Sequence, residues 1–137
     1  MKHLAVVFLL AVGLAACGGG DSPTTPIAPA NLVSTGLSMT SQCDALRSLN
    51  YAMGGTTATC TSFNGTMQNN GSGCAGNIRG TTITYFTGGA QVGSASWTYS
   101  YTVRPGETFS FTGGQLTVPV SGFQYTTTAT WDDVRCQ

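Results

Sequence analysis

Ser96-Trp97-Thr98-Tyr99-Ser100-Tyr101-Thr102-Val103 (SWTYSYTV) alternates large apolar side chains with small hydroxyl side chains. Successive side chains of an extended strand point to opposite faces. Trp97, Tyr99, Tyr101 and Val103 therefore share one face, and Thr98, Ser100 and Thr102 share the other. The same period recurs in Phe123–Asp133 (FQYTTTATWDD), where Phe123, Tyr125, Ala129 and Trp131 fall together opposite Gln124, Thr126, Thr128 and Thr130. Phe109 with Phe111 and Phe63 with Met67 obey the same rule. One apolar and one hydroxyl face per strand is what a two-layer antiparallel sandwich requires.

Working outward, Thr, Tyr, Phe, Trp and Val stay frequent, and glycines and Asn-Gly pairs punctuate the chain. This is an all-β signature. Five main strands are expected, over residues 57–68, 77–86, 91–103, 107–118 and 122–134. Pro105 fixes its own φ and Gly106 tolerates a positive one, so Arg104-Pro105-Gly106-Glu107 makes a β-turn, and Asn70-Gly71 marks another. Residues 35–54 are ambiguous. CDALRSLNYAM fits one or two helical turns with Asp44 near a cap, or an extra edge strand.

The N-terminus has a different character. Lys2 and His3 precede an apolar run from Leu4 to Leu14, and Ala15 and Ala16 follow. This is the pattern of an export signal. A run of about a dozen residues is too short to span a bilayer, which takes about 20. Residues 18–33 (GGGDSPTTPIAPANLV) are rich in Gly, Pro and Thr and read as a tether. The expected organisation is a signal peptide over 1–16, a tether over 17–33 and a β-sandwich domain over 34–137.

Cutting before residue 17 removes the only lysine and the only histidine, leaving Arg47, Arg79, Arg104 and Arg135 against Asp21, Asp44, Glu107, Asp132 and Asp133. No basic patch is available for nucleic acid. Ser-His, Cys-His and Ser-Lys catalysis is excluded, as are histidine-based zinc sites. Asp132-Asp133 is the remaining carboxylate pair. Adjacent strand residues point to opposite faces and would not converge on one substrate atom. We expect no catalytic residues, no metal and no cofactor.

Besides Cys17, the cysteines are Cys43, Cys60, Cys74 and Cys136. An even number in an exported chain, with no Cys-x-x-Cys pair, points to two disulfides rather than a metal cluster. If the five strands alternate in direction, Cys74 and Cys136 lie at one end, while Cys60 opens the first strand at the other. The expected bridges are therefore Cys43–Cys60 and Cys74–Cys136. Each would contribute roughly 3 to 4.5 kcal/mol by chain entropy.

Two resemblances carry the reading further. Leu14-Ala15-Ala16-Cys17 resembles the lipobox of bacterial lipoproteins, which implies that Cys17 becomes the first mature residue and carries the lipid. Several acyl chains anchor a protein stably where one does not. Gly18 stands where the inner-membrane retention signal has Asp, so the resemblance implies the outer membrane of the cell envelope.

The second rests on FNGTMQNNGSGCAGNI (Phe63–Ile78), Tyr85 at a strand end, Gly89, Val92-Gly93 and VRPGETFSF (Val103–Phe111). This string is similar to the FxLYD family of bacterial domains, although Thr82, Thr84 and Phe86 stand where its naming motif has Phe, Leu and Asp. The resemblance implies an all-β, small antiparallel immunoglobulin-like β-sandwich outside the cytoplasm, with no catalytic residues. The leading expectation is a non-catalytic, lipid-anchored interaction or structural module. The alternative is a glycan- or peptidoglycan-binding module that uses Trp97, Tyr99, Tyr101 and Trp131.

Overall fold

The structure is a computed structural model describing residues 25–137. The expected signal peptide, Cys17 and the first part of the expected tether lie outside the described residues. Strands β1 (Leu32–Met39), β2 (Thr57–Cys60), β3 (Phe63–Asn69), β4 (Cys74–Phe86), β5 (Gln91–Tyr99), β6 (Thr108–Gly113), β7 (Leu116–Pro119) and β8 (Phe123–Val134) accompany one helix, α1 (Ser41–Ala52). They form antiparallel sheets of order β1-β3-β6, β2-β7 and β5-β4-β8. The domain is a small, disulfide-bonded, all-β sandwich.

The alternating faces meet in the core. Trp97 of β5 stacks on Phe111 of β6 with ring centroids 3.7 Å apart, and Phe63 of β3 meets the same ring edge-on. Burying rings of this size dominates the energetics of a small core. Apart from Ser34 Oγ, the buried side-chain polar atoms are paired. Trp97 Nε1 donates to Thr82 Oγ1 at 3.3 Å, and Thr82 exchanges a 3.1 Å bond with Thr127.

Two of the expected long strands are each broken in two. Residues 57–68 split at Thr61-Ser62 into β2 and β3, and residues 107–118 split at Gly114-Gln115 into β6 and β7. The breaks lie side by side, because Phe63 pairs with Gly113 on one side of them and Cys60 with Leu116 on the other. Across each break the buried positions change phase, from Ala58 and Cys60 to Phe63 and Met67, and from Phe109 and Phe111 to Leu116 and Val118. A shift by an odd number of residues reverses which side chains face inward, and the buried set passes from even to odd positions at one break and from odd to even at the other, so the ribbon changes sheets at this point.

The 91–103 strand stops at Tyr99. Opposite its continuation β4 bulges between Gly76 and Arg79, and Asn77 there takes a positive φ of 50°. Val103 rejoins through an isolated bridge to Ala75.

The expected tether is also shortened. Ala30 and Leu32 are buried, β1 begins at Leu32, and Pro29 O accepts from the backbone of Ser72 and Gly73. The folded domain therefore begins before residue 34. Within 35–54 the helical alternative holds for CDALRSLNYAM, where α1 runs three turns rather than one or two, and the strand β1 precedes it and ends at Met39. Thr40 caps the helix by accepting from Cys43 N at 3.3 Å.

Both expected disulfides are present. Cys43 in α1 bonds Cys60 at the end of β2, with Cα atoms 4.9 Å apart. Cys74 at the start of β4 bonds Cys136 just beyond β8, with Cα atoms 5.4 Å apart. They sit at opposite ends of the sandwich. Cys74 pairs with Val134 at one end of the β4–β8 ladder and Phe86 with Phe123 at the other. At about 3.3 Å per residue these ends are about 40 Å apart.

Candidate functional site

The four aromatic candidates do not form a platform. Trp97 is buried in the core, and Tyr99 is half-buried against Phe109 with ring centroids 4.4 Å apart. Burial raises the Tyr99 phenol above its ordinary pKa, with smaller contributions from Glu107 and Tyr101. Trp131 packs partly against the core from β8, across β4 from the others. Only Tyr101, 74% exposed just beyond β5, is open to a ligand. The alternation in SWTYSYTV is the packing signal of a core strand up to Tyr99, where the strand ends.

Each carboxylate among the described residues has a local partner. Asp132 accepts from Asn77 Nδ2 at 2.8 Å and Asp133 from Ala30 N at 2.8 Å, on opposite sides of β8, as adjacent strand residues must. Glu107 accepts from Arg104 N at 2.8 Å, closing the Pro105-Gly106 turn. Asp44 lies 3.4 Å from Arg47 on α1. No group of three or more His, Cys, Asp or Glu is placed to hold a metal among the described residues.

The surface that departs most from an ordinary soluble domain is α1. A surface helix normally turns its apolar stripe to the core. In α1 the inward positions are Cys43, Arg47 and Asn50, spaced i, i+4 and i+7. Cys43 is bonded to Cys60. Arg47 Nε donates to Pro119 O at 2.9 Å, and its guanidinium lies 5.1 Å from the Phe123 ring centroid, within cation–π range. Asn50 Nδ2 donates to Thr57 O at 3.0 Å.

The outward face is the apolar one. Leu46, Leu49 (56% exposed) and Met53 (71% exposed) are spaced i, i+3 and i+7, flanked by exposed Ala45, Ala52 and Tyr51. The helix is docked by a disulfide, two polar groups and a cation–π contact, and it presents its hydrophobic stripe to the outside. The spacing is legible in CDALRSLNYAM. Its direction is not, because apolar periodicity alone predicts that Leu46 and Leu49 face inward.

A second surface lies on the outer face of β5-β4-β8. The register aligns Ser96, Thr81 and Thr128 in one row and Thr98, Arg79 and Thr130 in the next, with an open furrow between them. Arg79 stands in it without an ion-pair partner among the described residues.

No protein-family model matches the chain, and no curated protein matches it.

Proposed function

We propose that this protein is a non-catalytic, lipid-anchored module of the bacterial cell envelope that uses the outward face of α1 as its contact surface. The observation that carries the reading is the inverted helix. Leu46, Leu49, Tyr51 and Met53 are four of the largest exposed hydrophobic side chains, and a disulfide holds their helix to the sandwich. An exposed apolar cluster rimmed by polar residues marks an interaction site more often than chance exposure does.

The lipobox-like Leu14–Cys17 supplies the anchor in this reading. The FxLYD resemblance, which implies an extracytoplasmic sandwich without catalytic residues, agrees with it. The chain arrives from Cys17 at the Cys74–Cys136 end, where Pro29 meets Ser72 and Gly73, and α1 lies at the other end. Metabolic labelling with palmitate tests the anchor. Wild type should incorporate label and Cys17→Ala should not; equal incorporation ends the lipoprotein reading.

A second reading, glycan binding, is favoured by the furrow over β5-β4-β8, whose hydroxyl rows and free Arg79 suit an uncharged or carboxylated sugar better than the dispersed aromatics do. Titration with envelope glycans, comparing wild type with Arg79→Ala, tests it. Equal binding by both proteins removes the furrow from consideration.

A further inference from the structure

We propose that a second copy of this chain docks on the free edge of β8, strand to strand and antiparallel, with Thr127 on the two-fold axis. Strand β8 is the outer strand of β5-β4-β8. From Phe123 to Trp131 it makes no backbone hydrogen bonds beyond its ladder with β4. A row of unpaired N–H and C=O groups is a template for another strand, and folded proteins usually guard such rows with charge, proline or a bulge.

Two other edges of this sandwich are guarded. Strand β1, on the same side as β8, is interrupted by a bulge between Ser34 and Gly36. Strand β5, at the opposite edge of the sheet, packs along β6 and β7. Strand β8 has no bulge of its own, and it approaches β1 over a short stretch. Between Phe123 and Trp131 it contains no charge and no proline, and the irregularity opposite it lies on β4, between Gly76 and Arg79.

The sequence of β8 selects a second copy over an arbitrary strand. Reflected about Thr127, Thr126 meets Thr128, Tyr125 meets Ala129, Gln124 meets Thr130 and Phe123 meets Trp131. Hydroxyls oppose hydroxyls on the outer face. On the inner face a large ring faces a small side chain, and a phenyl ring faces an indole, both favourable cross-strand pairs. Trp131 is only half-buried and Tyr125 is 38% exposed, with no strand beyond β8 in its sheet, and Phe123 is half-buried with Arg47 of α1 over its ring. A second β8 would cover all three and make one six-stranded sheet. Asp132 and Asp133 would fall opposite Gly122 and Ser121 of the other copy, so no like charges meet. The pairing runs the two domains in opposite directions. A two-fold axis normal to a membrane would still leave both N-terminal segments at equal height above it.

Two measurements on the full exported chain test the pairing. Co-expressed copies carrying Thr126→Cys and Thr128→Cys should form a mixed intermolecular disulfide in the envelope, in clear excess over either variant alone. In light scattering, wild type should be a dimer, and T126K/T128K, which sets lysine opposite lysine, should be a monomer with an unchanged circular dichroism spectrum. Should the lysine variant fail to fold, the cysteine pair still decides. A monomeric wild type, cross-linking no better in the mixed pair than in single variants, or a dimer that survives T126K/T128K but is lost in Leu49→Glu, each overturns the proposal.

Discussion

The two ends of the sandwich are built in different ways. At the N-terminal pole, where residues 25–31 meet Cys74–Cys136, polar groups fold inward. Asn69 is fully buried, and its side chain accepts from Asn31 N and Gly71 N at 3.0 Å each and donates to Gly73 O at 2.8 Å and Val103 O at 3.1 Å. One amide thereby satisfies four backbone groups from four loop positions, its full hydrogen-bonding capacity. At the helix pole the polar groups Arg47 and Asn50 dock the helix while the apolar side chains face outward. The first pole is organised to hold the chain, and the second to present a surface.

The contrast yields tests of decreasing size. The 62-residue Cys74–Cys136 separation should make that bridge worth about 4 kcal/mol by chain entropy, against about 3 kcal/mol for the 17-residue Cys43–Cys60 separation. Denaturant titration of the two double-alanine variants should rank them in that order. Hydrogen exchange should show the Cys43–Cys60 variant losing protection in α1 while β3, β4 and β6 keep theirs. Equal loss throughout would erase the distinction between the poles.

Asn69→Leu orphans Gly73 O and Gly71 N, at about 1 to 3 kcal/mol for each group cut off from water, while Val103 O keeps its bond from Ala75 N and Asn31 N is open to water. A loss of about 3 kcal/mol is expected in the same titration, and a loss below 1 kcal/mol would mean that water replaces the amide. Arg47→Met should cost about 1 to 2 kcal/mol, since it removes a charge-assisted bond to Pro119 O and the contact with Phe123.

Leu49→Glu should change stability by no more than about 0.5 kcal/mol, as expected for an exposed position. A large cost would show that α1 uses its apolar face internally. The smallest effect concerns Tyr99. Its folded-state pKa is raised by burial, so the neutral form is the one the fold favours. Its contribution is complete below the unfolded tyrosine value of about 10 and is lost as pH rises through that value toward the higher folded one. Tyr99→Phe should flatten the alkaline limb of a pH–stability profile, and an unchanged limb would contradict the assignment.

The sequence carried the class of the fold because period-2 alternation is local and strong in β5 and β8. It also carried both disulfides, although Cys60 closes β2 rather than opening a long strand. The pairing survives because Cys74 and Cys136 still share one end and α1 lies over Cys60. The sheet switches were written in the sequence as phase changes from Cys60 to Phe63 and from Phe111 to Leu116, yet an eye that follows composition reads through them. In β1 the alternation is broken by its own bulge. Leu32 and Ser34 face inward on one phase, Leu37 and Met39 on the other, and the strand merges into the tether pattern. The inverted helix was beyond sequence reading, since its orientation depends not only on Thr57 and Cys60 of the next strand but on Pro119 and Phe123, which come from elements remote in the chain.

The most direct test of the account is a photo-reactive amino acid placed at Leu49 in the full chain, in intact cells, with Tyr101 as the comparison site. The proposed contact face predicts a discrete cross-linked product from position 49 that Tyr51→Glu in the same chain abolishes, and little or none from position 101. Cross-linking that is absent at position 49, or equal at both positions, would contradict it.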